Sequence, residues 1–400
     1  MIKLPESAER DEQEIGIRVA AGGALMNLKG FGAPQVASNY ARALELCERT
    51  ADSPRLFPIL RGIAISSYSR GEFARAAEIG ERCLRIAELA EGNDMRIEAH
   101  RLQAATRLWL GEFERGRAHA RTAVDLYDPL AHANHVVLYA HNPGPTSIAY
   151  LGWLEWFVGN PVTANRLSQE AVALARTIGH VPTLAFAGLV SQGRGDPSGA
   201  LALARELRVL CVEHIIPFWL AFATAQEGSA LSKLGRTDSG LELIREGIDN
   251  WRATSAELAA TYLSGSLAAL MMESGDLPGA LVVTTDAMAM SHRNGEKFWL
   301  AELARGRANI LIRLGREHYP EAELALMRFL AVAREQQSRT FEFRTLTTLH
   351  ELLAGLGRQQ EIRAELESCY ADFTEGFDLP DLALARKRLG ENPGVGINAV

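Results

Sequence analysis

The sequence lacks the features that mark several common classes of protein. No apolar run approaches the ~18 residues that a membrane-spanning helix requires. The N-terminal residues, Met-Ile-Lys-Leu-Pro-Glu-Ser, lack the charged and then apolar order of a signal peptide. The four cysteines lie far apart and form no C-x-x-C pair: Cys47, Cys83, Cys211 and Cys369. We therefore expect buried thiols rather than disulfides or a cysteine-bound metal, a cytoplasmic location and no membrane partner.

An excess of positive charge is also absent. Lys and Arg total 42 against 49 Asp and Glu, which gives a formal net charge of −7. The basic residues are scattered among acidic ones, as on a solvated helical surface. Because nucleic-acid binding requires clustered Lys and Arg, this balance argues against a direct nucleic-acid partner.

The motifs of common catalytic sites are missing as well. The sequence contains no G-x4-G-K-[S/T] phosphate loop, no G-x-S-x-G elbow and no H-E-x-x-H zinc motif. Its carboxylates are spread along predicted helix surfaces rather than paired. We expect no catalytic residues, no cofactor or metal site and no enzymatic activity.

What the sequence does contain is a repeated turn. Short segments with a glycine, such as Leu110-Gly-Glu-Phe, recur along the chain at intervals of 40, 48, 36, 40, 40, 40 and 42 residues. The aligned glycines are Gly71, Gly111, Gly159, Gly195, Gly235, Gly275, Gly315 and Gly357. A small residue lies seven positions before the first seven glycines, and another lies five positions after the first six.

These columns of small residues predict pairs of closely packed antiparallel helices. Small side chains let two helices approach, and glycine suits a left-handed helix end. The pattern resembles the tetratricopeptide signature, lengthened to about 40 residues. Period-two alternation, typical of strands, is absent. The sequence therefore predicts an all-α fold, a right-handed α-solenoid of about nine helix pairs over residues 11–390, with disordered segments at 1–10 and 391–400.

The register also predicts which residues face the concave groove. In tetratricopeptide arrays the first helix of each pair lines this groove, and we place there the positions ten, six, three and two before each glycine. Aromatic and arginine side chains are typical of binding hot spots. The candidate partner-binding residues are Arg61, Tyr68, Arg101, Trp109, Trp153, Trp156, Phe157 and Arg305. Core packing of the tryptophans is the alternative.

An insert at residues 127–145 lengthens one interval to 48 residues. Inserts in repeat arrays map to loops on one face, often the binding face. The candidate functional residues in it are His132, His135, Tyr139, His141 and Asn142. Three histidines suggest a metal site, but H-x-x-H is not the i, i+4 spacing of a helical metal pair and only Asp128 is nearby. Hydrogen bonding of the histidines to neighbouring helices is the favoured interpretation.

Several blocks of the chain resemble the C-terminal helical region of large bacterial signalling proteins. In those proteins a class III adenylyl or guanylyl cyclase domain, or a DNA-binding domain, precedes an ATPase module and a maltose-regulator-type repeat array. The resemblance extends from about Glu14 to Leu389 and departs at Asn142, where the pattern usually has an acid. The matching blocks are Leu126-Tyr-Asp-Pro, His132, Tyr139, Asn142-Pro-Gly, Ala149-Tyr-Leu-Gly-Trp, Gly23-Ala-Leu-Met-Asn-Leu-Lys-Gly-Phe, Trp251-Arg-Ala-Thr and Phe373-Thr-Glu-Gly-Phe-Asp.

The resemblance implies a sensing or protein-interaction array in signal transduction. Because the sequence contains neither the cyclase domain nor the nucleotide-binding module, we expect neither activity in it. One hypothesis is a non-catalytic scaffold that binds another protein or a peptide in the concave groove. The alternative is a regulatory half, belonging to a cyclase or an ATP-dependent transcription regulator, that senses a small-molecule effector.

Overall fold

The computed structural model describes residues 7–50, 53–135, 139 and 141–390. Within them nineteen α-helices form nine antiparallel hairpins and one terminal helix. The first ten are α1 (Ala8–Lys29), α2 (Pro34–Thr50), α3 (Ser53–Ser69), α4 (Phe73–Leu89), α5 (Asp94–Trp109), α6 (Phe113–Asp125), α7 (Pro143–Phe157), α8 (Pro161–Ile178), α9 (Thr183–Gly193) and α10 (Pro197–Glu213). The other nine are α11 (Pro217–Lys233), α12 (Thr237–Ala253), α13 (Ala260–Glu273), α14 (Leu277–Asn294), α15 (Leu300–Leu314), α16 (Tyr319–Glu335), α17 (Arg339–Ala354), α18 (Gln360–Ala371) and α19 (Pro380–Leu389). The predicted all-α solenoid of tetratricopeptide-like hairpins is confirmed.

Small residues hold the two helices of a hairpin close together, as the sequence predicted. In the pair α11 and α12, a Cβ added to Gly228 would lie 2.6 Å from the Gly240 carbonyl oxygen, and one added to Gly240 would lie 2.7 Å from the Gly228 oxygen. Side chains larger than hydrogen would force these two backbones apart. The turn between the helices contains Gly235 at φ +82°, a left-handed conformation that glycine adopts without strain.

The array curls so tightly that each of the first four hairpins touches the hairpin five positions later. The carbonyl oxygen of Trp109, at the end of α5, accepts hydrogen bonds from the N–H groups of Lys297 and Phe298 at 3.0 and 3.2 Å, just before α15. Three further carbonyls in the same register, two residues before the turn glycine, accept hydrogen bonds from backbone or side-chain donors of the second turn. They are Ser69, from Glu257 and Leu258 (2.9 and 3.2 Å), Phe157, from the Ser338 hydroxyl (3.0 Å), and Gly193, from Arg344 (2.8 Å). The first five hairpins therefore form one superhelical turn, and the next four with α19 form a second turn stacked on it.

A cluster of aromatic rings fills the contact between the two turns, which we call the seam. Phe298 packs edge to face on Trp109 with ring centroids 4.7 Å apart, and lies 5.5 Å from Trp153. Phe341 packs in the same way on Phe157 at 5.2 Å. At the first hairpin, Phe31 packs on Phe218 at 4.9 Å. Aromatic pairs of this geometry stabilise by more than their buried area alone, so the seam is a second core beside the interior of each hairpin.

The predicted ends of the solenoid fall partly outside the described residues, which exclude 1–6 and 391–400. Ser7 accepts a hydrogen bond from the Arg10 backbone and caps α1, so that helix begins inside the segment predicted to be disordered. All four cysteines are buried, as predicted. No helix among the described residues is long and apolar enough to cross a membrane.

Candidate ligand-binding cavities

Four of the five aromatic residues predicted to line an open groove are almost completely buried. Trp109, Trp153, Trp156 and Phe157 are exposed by 2, 1, 3 and 0 %, respectively. They lie on the concave side, as the register required, but the second turn of the superhelix covers them through the seam. A partner cannot stack on Trp153 and Trp156 as predicted, because both rings are buried. The alternative prediction, that these tryptophans pack in the core, agrees with the structure.

A cavity of about 290 Å³ opens at the N-terminal end of the superhelix. It contains three of the predicted groove residues, Arg61, Tyr68 and Arg101, together with Tyr139, His141 and Asn142 of the insert. Trp219 and Phe186 form its apolar floor. The structure thus brings together six predicted residues from α3, α5 and the insert.

The buried carboxylate of Glu98 organises the wall of this N-terminal cavity. One of its oxygens accepts hydrogen bonds from Nε of Arg61 at 2.8 Å and Nε of Arg101 at 3.2 Å. The other lies 3.3 Å from Nδ1 of His135 and 3.4 Å from Nε2 of His141. Burial would raise the pKa of the Glu98 carboxyl, but His141, Arg61 and Arg101 together hold it well below its usual range. Two guanidinium groups thus face one carboxylate, which leaves one surplus positive charge at the cavity.

Glu98 was not among the residues predicted from the sequence, although the sequence contains a signal for it. Glu98 lies three and seven residues before Arg101 and Ala105, both of which were assigned to the groove-facing side of α5. Helical periodicity therefore places it on the same face. A fully buried acid three residues before a buried arginine indicates an internal ion pair rather than a surface charge.

The insert is fastened to α3, α5 and α7 by its polar and aromatic side chains. Nε2 of His135 lies 3.0 Å from Oδ1 of Asp94, the first residue of α5. The Arg61 guanidinium stacks over the Tyr139 ring, 4.9 Å from its centroid. Oδ1 of Asn142 accepts the Gly144 N–H at 3.0 Å and caps α7. The predicted hydrogen bonding to neighbouring helices is therefore present for His135 and for His141, whose Nδ1 lies 2.6 Å from the Arg61 guanidinium, whereas His132 hydrogen-bonds to Asp128 within the insert. Residues 136–138 and 140 lie outside the described part.

A larger cavity, of about 510 Å³, opens at the C-terminal end of the superhelix. Most of its lining comes from α11, α13, α15, α17 and α19, and it includes Arg305, the one predicted groove residue in the second turn. Nε of Arg305 donates to Glu302 at 3.0 Å, and Nε of Arg344 donates to Asp381 at 2.7 Å. Burial would raise the pKa of Glu302, but Arg305 and Arg344 lower it to about 2. This C-terminal cavity therefore presents fixed charges of both signs.

Aromatic side chains separate the two cavities. Trp219 lines the N-terminal cavity and Trp299 lines the C-terminal one. Between them, Phe222 lies 6.1 Å from Trp219 and 6.2 Å from Tyr262, and Tyr262 lies 5.1 Å from Trp299. The channel of the superhelix is thus divided into the N-terminal and C-terminal cavities and does not form one continuous groove.

Comparison with known proteins supports the fold and goes no further. No protein-family model matches the chain, and no curated protein matches its sequence. Among solved structures, it is similar to a Rap protein complexed with Competence and Sporulation Factor, at 11% identity and a TM-score of 0.61 over 95% of this chain and 99% of that one. It is also similar to the apo form of the quorum sensor NprR from B. thuringiensis, at 10% identity and a TM-score of 0.51 over 92% of this chain and 100% of that one. At these identities the likeness shows a shared tetratricopeptide-like helical solenoid.

Proposed function

We propose that the chain is a non-catalytic regulatory scaffold that binds a short segment of a partner protein in the C-terminal cavity. The observation that carries this proposal is the cavity of about 510 Å³, since ligand pockets typically measure about 300–1,000 Å³. Five helices supply most of its lining, one from each hairpin of the second turn and the terminal helix. Their relative positions are fixed by the seam, so the cavity is preformed.

The lining favours a peptide that carries side chains of both charges. Arg305 and Lys233 supply positive charge, and Glu302 and Glu273 supply negative charge. Because the aromatic side chains between the cavities close the channel, a segment enters by its end or as a short loop and does not run through the superhelix.

The test is selection of short random peptides displayed on phage, followed by fluorescence polarisation with the peptides recovered. Arg305→Ala should weaken binding by about ten-fold or more, as for a buried arginine hot spot. Arg316→Ala is the matched control, because Arg316 is exposed and lies outside the cavity. Recovery of no peptide, or equal binding by wild type and Arg305→Ala, would contradict the proposal.

A second candidate function is the sensing of a small anionic effector in the N-terminal cavity, as expected for the regulatory half of a cyclase or ATP-dependent regulator. The surplus positive charge of Arg61 and Arg101 over Glu98 favours it. A thermal-shift screen with nucleotides and carboxylates should raise the melting temperature, because ligand binding stabilises the native state. His214→Glu, at the exposed rim of the cavity, should reduce the shift, whereas His292→Glu, outside it, should not. A flat screen would eliminate this function.

A further inference from the structure

Two histidines of the insert and one carboxylate of α5 converge on a single point. Nε2 of His135 lies 3.0 Å from Oδ1 of Asp94, and Nε2 of His132 lies 3.7 Å from the same oxygen. The three potential ligand atoms all lie within 4.8 Å of one another. Asp94 is far from both histidines in sequence, so only the folding of the insert onto the start of α5 brings them together.

These separations suit a metal ion. A tetrahedral zinc ion with bonds of about 2.0–2.1 Å holds its ligand atoms roughly 3.3–3.4 Å apart. The observed 3.0 and 3.7 Å bracket that value. Both imidazole rings are buried, whereas the Asp94 side chain is 62% exposed. A metal ion would therefore enter from the solvent side, and water could occupy its remaining position.

The other nitrogen of each ring is held as metal-binding histidines usually are. Nδ1 of His135 lies 3.3 Å from the Glu98 carboxylate. Nδ1 of His132 lies 2.9 Å from both the carbonyl oxygen and the backbone nitrogen of Asp128, so it donates to the carbonyl in one tautomer and accepts the Asp128 N–H in the other. When Nδ1 carries the proton and donates to that carbonyl, Nε2 keeps its lone pair for a metal. A carboxylate or carbonyl behind a ligating imidazole is the common outer arrangement of zinc sites.

We propose that Asp94, His132 and His135 form a binding site for a divalent transition metal of the zinc type. Two imidazoles and one carboxylate favour such metals over Mg²⁺ and Ca²⁺, which prefer all-oxygen ligands. The bound ion fastens the insert to α5. Because the insert supplies Tyr139, His141 and Asn142 to the N-terminal cavity, the metal also fixes the wall of that cavity.

The competing explanation requires no metal. His135 lies between Asp94 and Glu98, and although burial lowers the pKa of its ring, hydrogen bonds from the ring to these two carboxylates raise it overall. A protonated His135 could then bridge them as a simple ion pair. This arrangement predicts no specific affinity for Zn²⁺, so direct binding measurements distinguish the two explanations.

The experiment is calorimetric titration of the chelator-treated, full-length chain with ZnCl₂, and with MgCl₂ in parallel. We expect saturable binding of one Zn²⁺ per chain and none of Mg²⁺. Loss of an outer-shell partner typically weakens metal binding by about 10–100-fold. Asp94→Asn removes a direct ligand, so it should weaken Zn²⁺ binding by more than this. Because Asp94 is exposed, this variant should fold normally, which circular dichroism can verify. The double variant His132→Gln/His135→Gln should remove the binding.

His119→Gln is the matched control, since His119 pairs with His100 at 3.0 Å between their Nδ1 atoms. That pair has no third ligand among the described residues, so the variant should retain wild-type affinity. Titration with Co²⁺ should give the visible absorption of a low-coordinate site in the wild type and not in Asp94→Asn. The proposal is overturned if the wild type binds no Zn²⁺ specifically, or if Asp94→Asn binds it as tightly as the wild type.

Discussion

Trp109 and Phe298 join the two turns of the superhelix twice over. The Trp109 carbonyl oxygen accepts the Phe298 N–H at 3.2 Å, and the two rings meet edge to face with centroids 4.7 Å apart. In most repeat arrays each unit contacts only its neighbours. Here residues 189 positions apart, by subtraction of their numbers, are in direct contact, so the stability of the first turn depends on the second.

Removal of the Phe298 ring should therefore destabilise the whole array. Phe298 is fully buried and lies among Trp109, Trp153 and Trp299. Phe298→Ala should lower the free energy of unfolding by about 3–5 kcal/mol, the usual cost of such a cavity. Urea titration followed by circular dichroism and by tryptophan fluorescence measures the loss.

The same titration tests the coupling between turns. In the wild type the two signals should change together, whereas in Phe298→Ala the fluorescence, which reports the seam, should change at lower urea than the helicity. Leu324→Ala is the control, because Leu324 is 71% exposed on α16 and should shift stability by less than about 0.5 kcal/mol. Coincident transitions and a small loss in Phe298→Ala would show that the turns do not stabilise each other.

A second prediction concerns two glycines of the first hairpin. A Cβ on Gly32 would lie 2.3 Å from the backbone carbonyl oxygen of Ser255, at the start of the second turn. Because the backbone cannot move aside as a side chain can, Gly32→Ala should lower the free energy of unfolding by about 1–3 kcal/mol. Gly16→Ala should instead stabilise by about 0.5–1 kcal/mol, because Gly16 lies within α1 with no atom within 4 Å of the added Cβ. Equal thermal shifts for the two variants would refute the close approach of the turns.

The helix pairs and their register could be predicted from the sequence, because they depend on local contacts. The contact between the two turns could not, because it depends on the pitch of the superhelix. Glycine turns and small-residue columns follow from contacts within a hairpin, so the helix pairs and the register were predictable. Whether Phe157 faces an open groove or a second turn depends on a small rotation per hairpin, summed over five hairpins. No residue pattern within one repeat specifies that sum. The convergence of Asp94 with His132 and His135 depends likewise on how the insert folds back.

A third prediction concerns the buried carboxylate of the N-terminal cavity. Glu98 is fully buried between Arg61 and Arg101. Glu98→Gln would leave two buried guanidinium groups without their counter-charge, which typically costs about 3–5 kcal/mol. Glu206→Gln is the control, since Glu206 pairs with Arg176 at the surface and should change stability by about 0–1 kcal/mol. Urea unfolding of both variants at neutral pH is the measurement, and a cost for Glu98→Gln no larger than for Glu206→Gln would contradict the prediction.

The last prediction concerns pH and the buried side chain of Glu296. Its carboxyl oxygens accept the backbone N–H groups of Ala259 and Thr261 at 2.5 and 3.1 Å, at the start of α13. Burial raises the pKa of Glu296 to about 7, and these hydrogen bonds offset the rise only in part. Between the ordinary pKa of about 4.5 and about 7, the folded chain therefore keeps a proton that the unfolded chain releases. Stability from this group is complete below that window and is lost as the pH rises through it.

Between pH 5 and pH 8 the free energy of unfolding of the wild type should thus fall by about 2–3 kcal/mol more than that of Glu296→Gln, which cannot titrate at this position. Urea unfolding of both chains at the two pH values gives the difference directly, because every other titrating group is common to them. Glu317→Gln, an exposed substitution, should retain the wild-type pH dependence. If Glu296→Gln loses as much stability as the wild type over this range, the carboxylate is ionised throughout, and the two N–H groups at the start of α13 outweigh its burial.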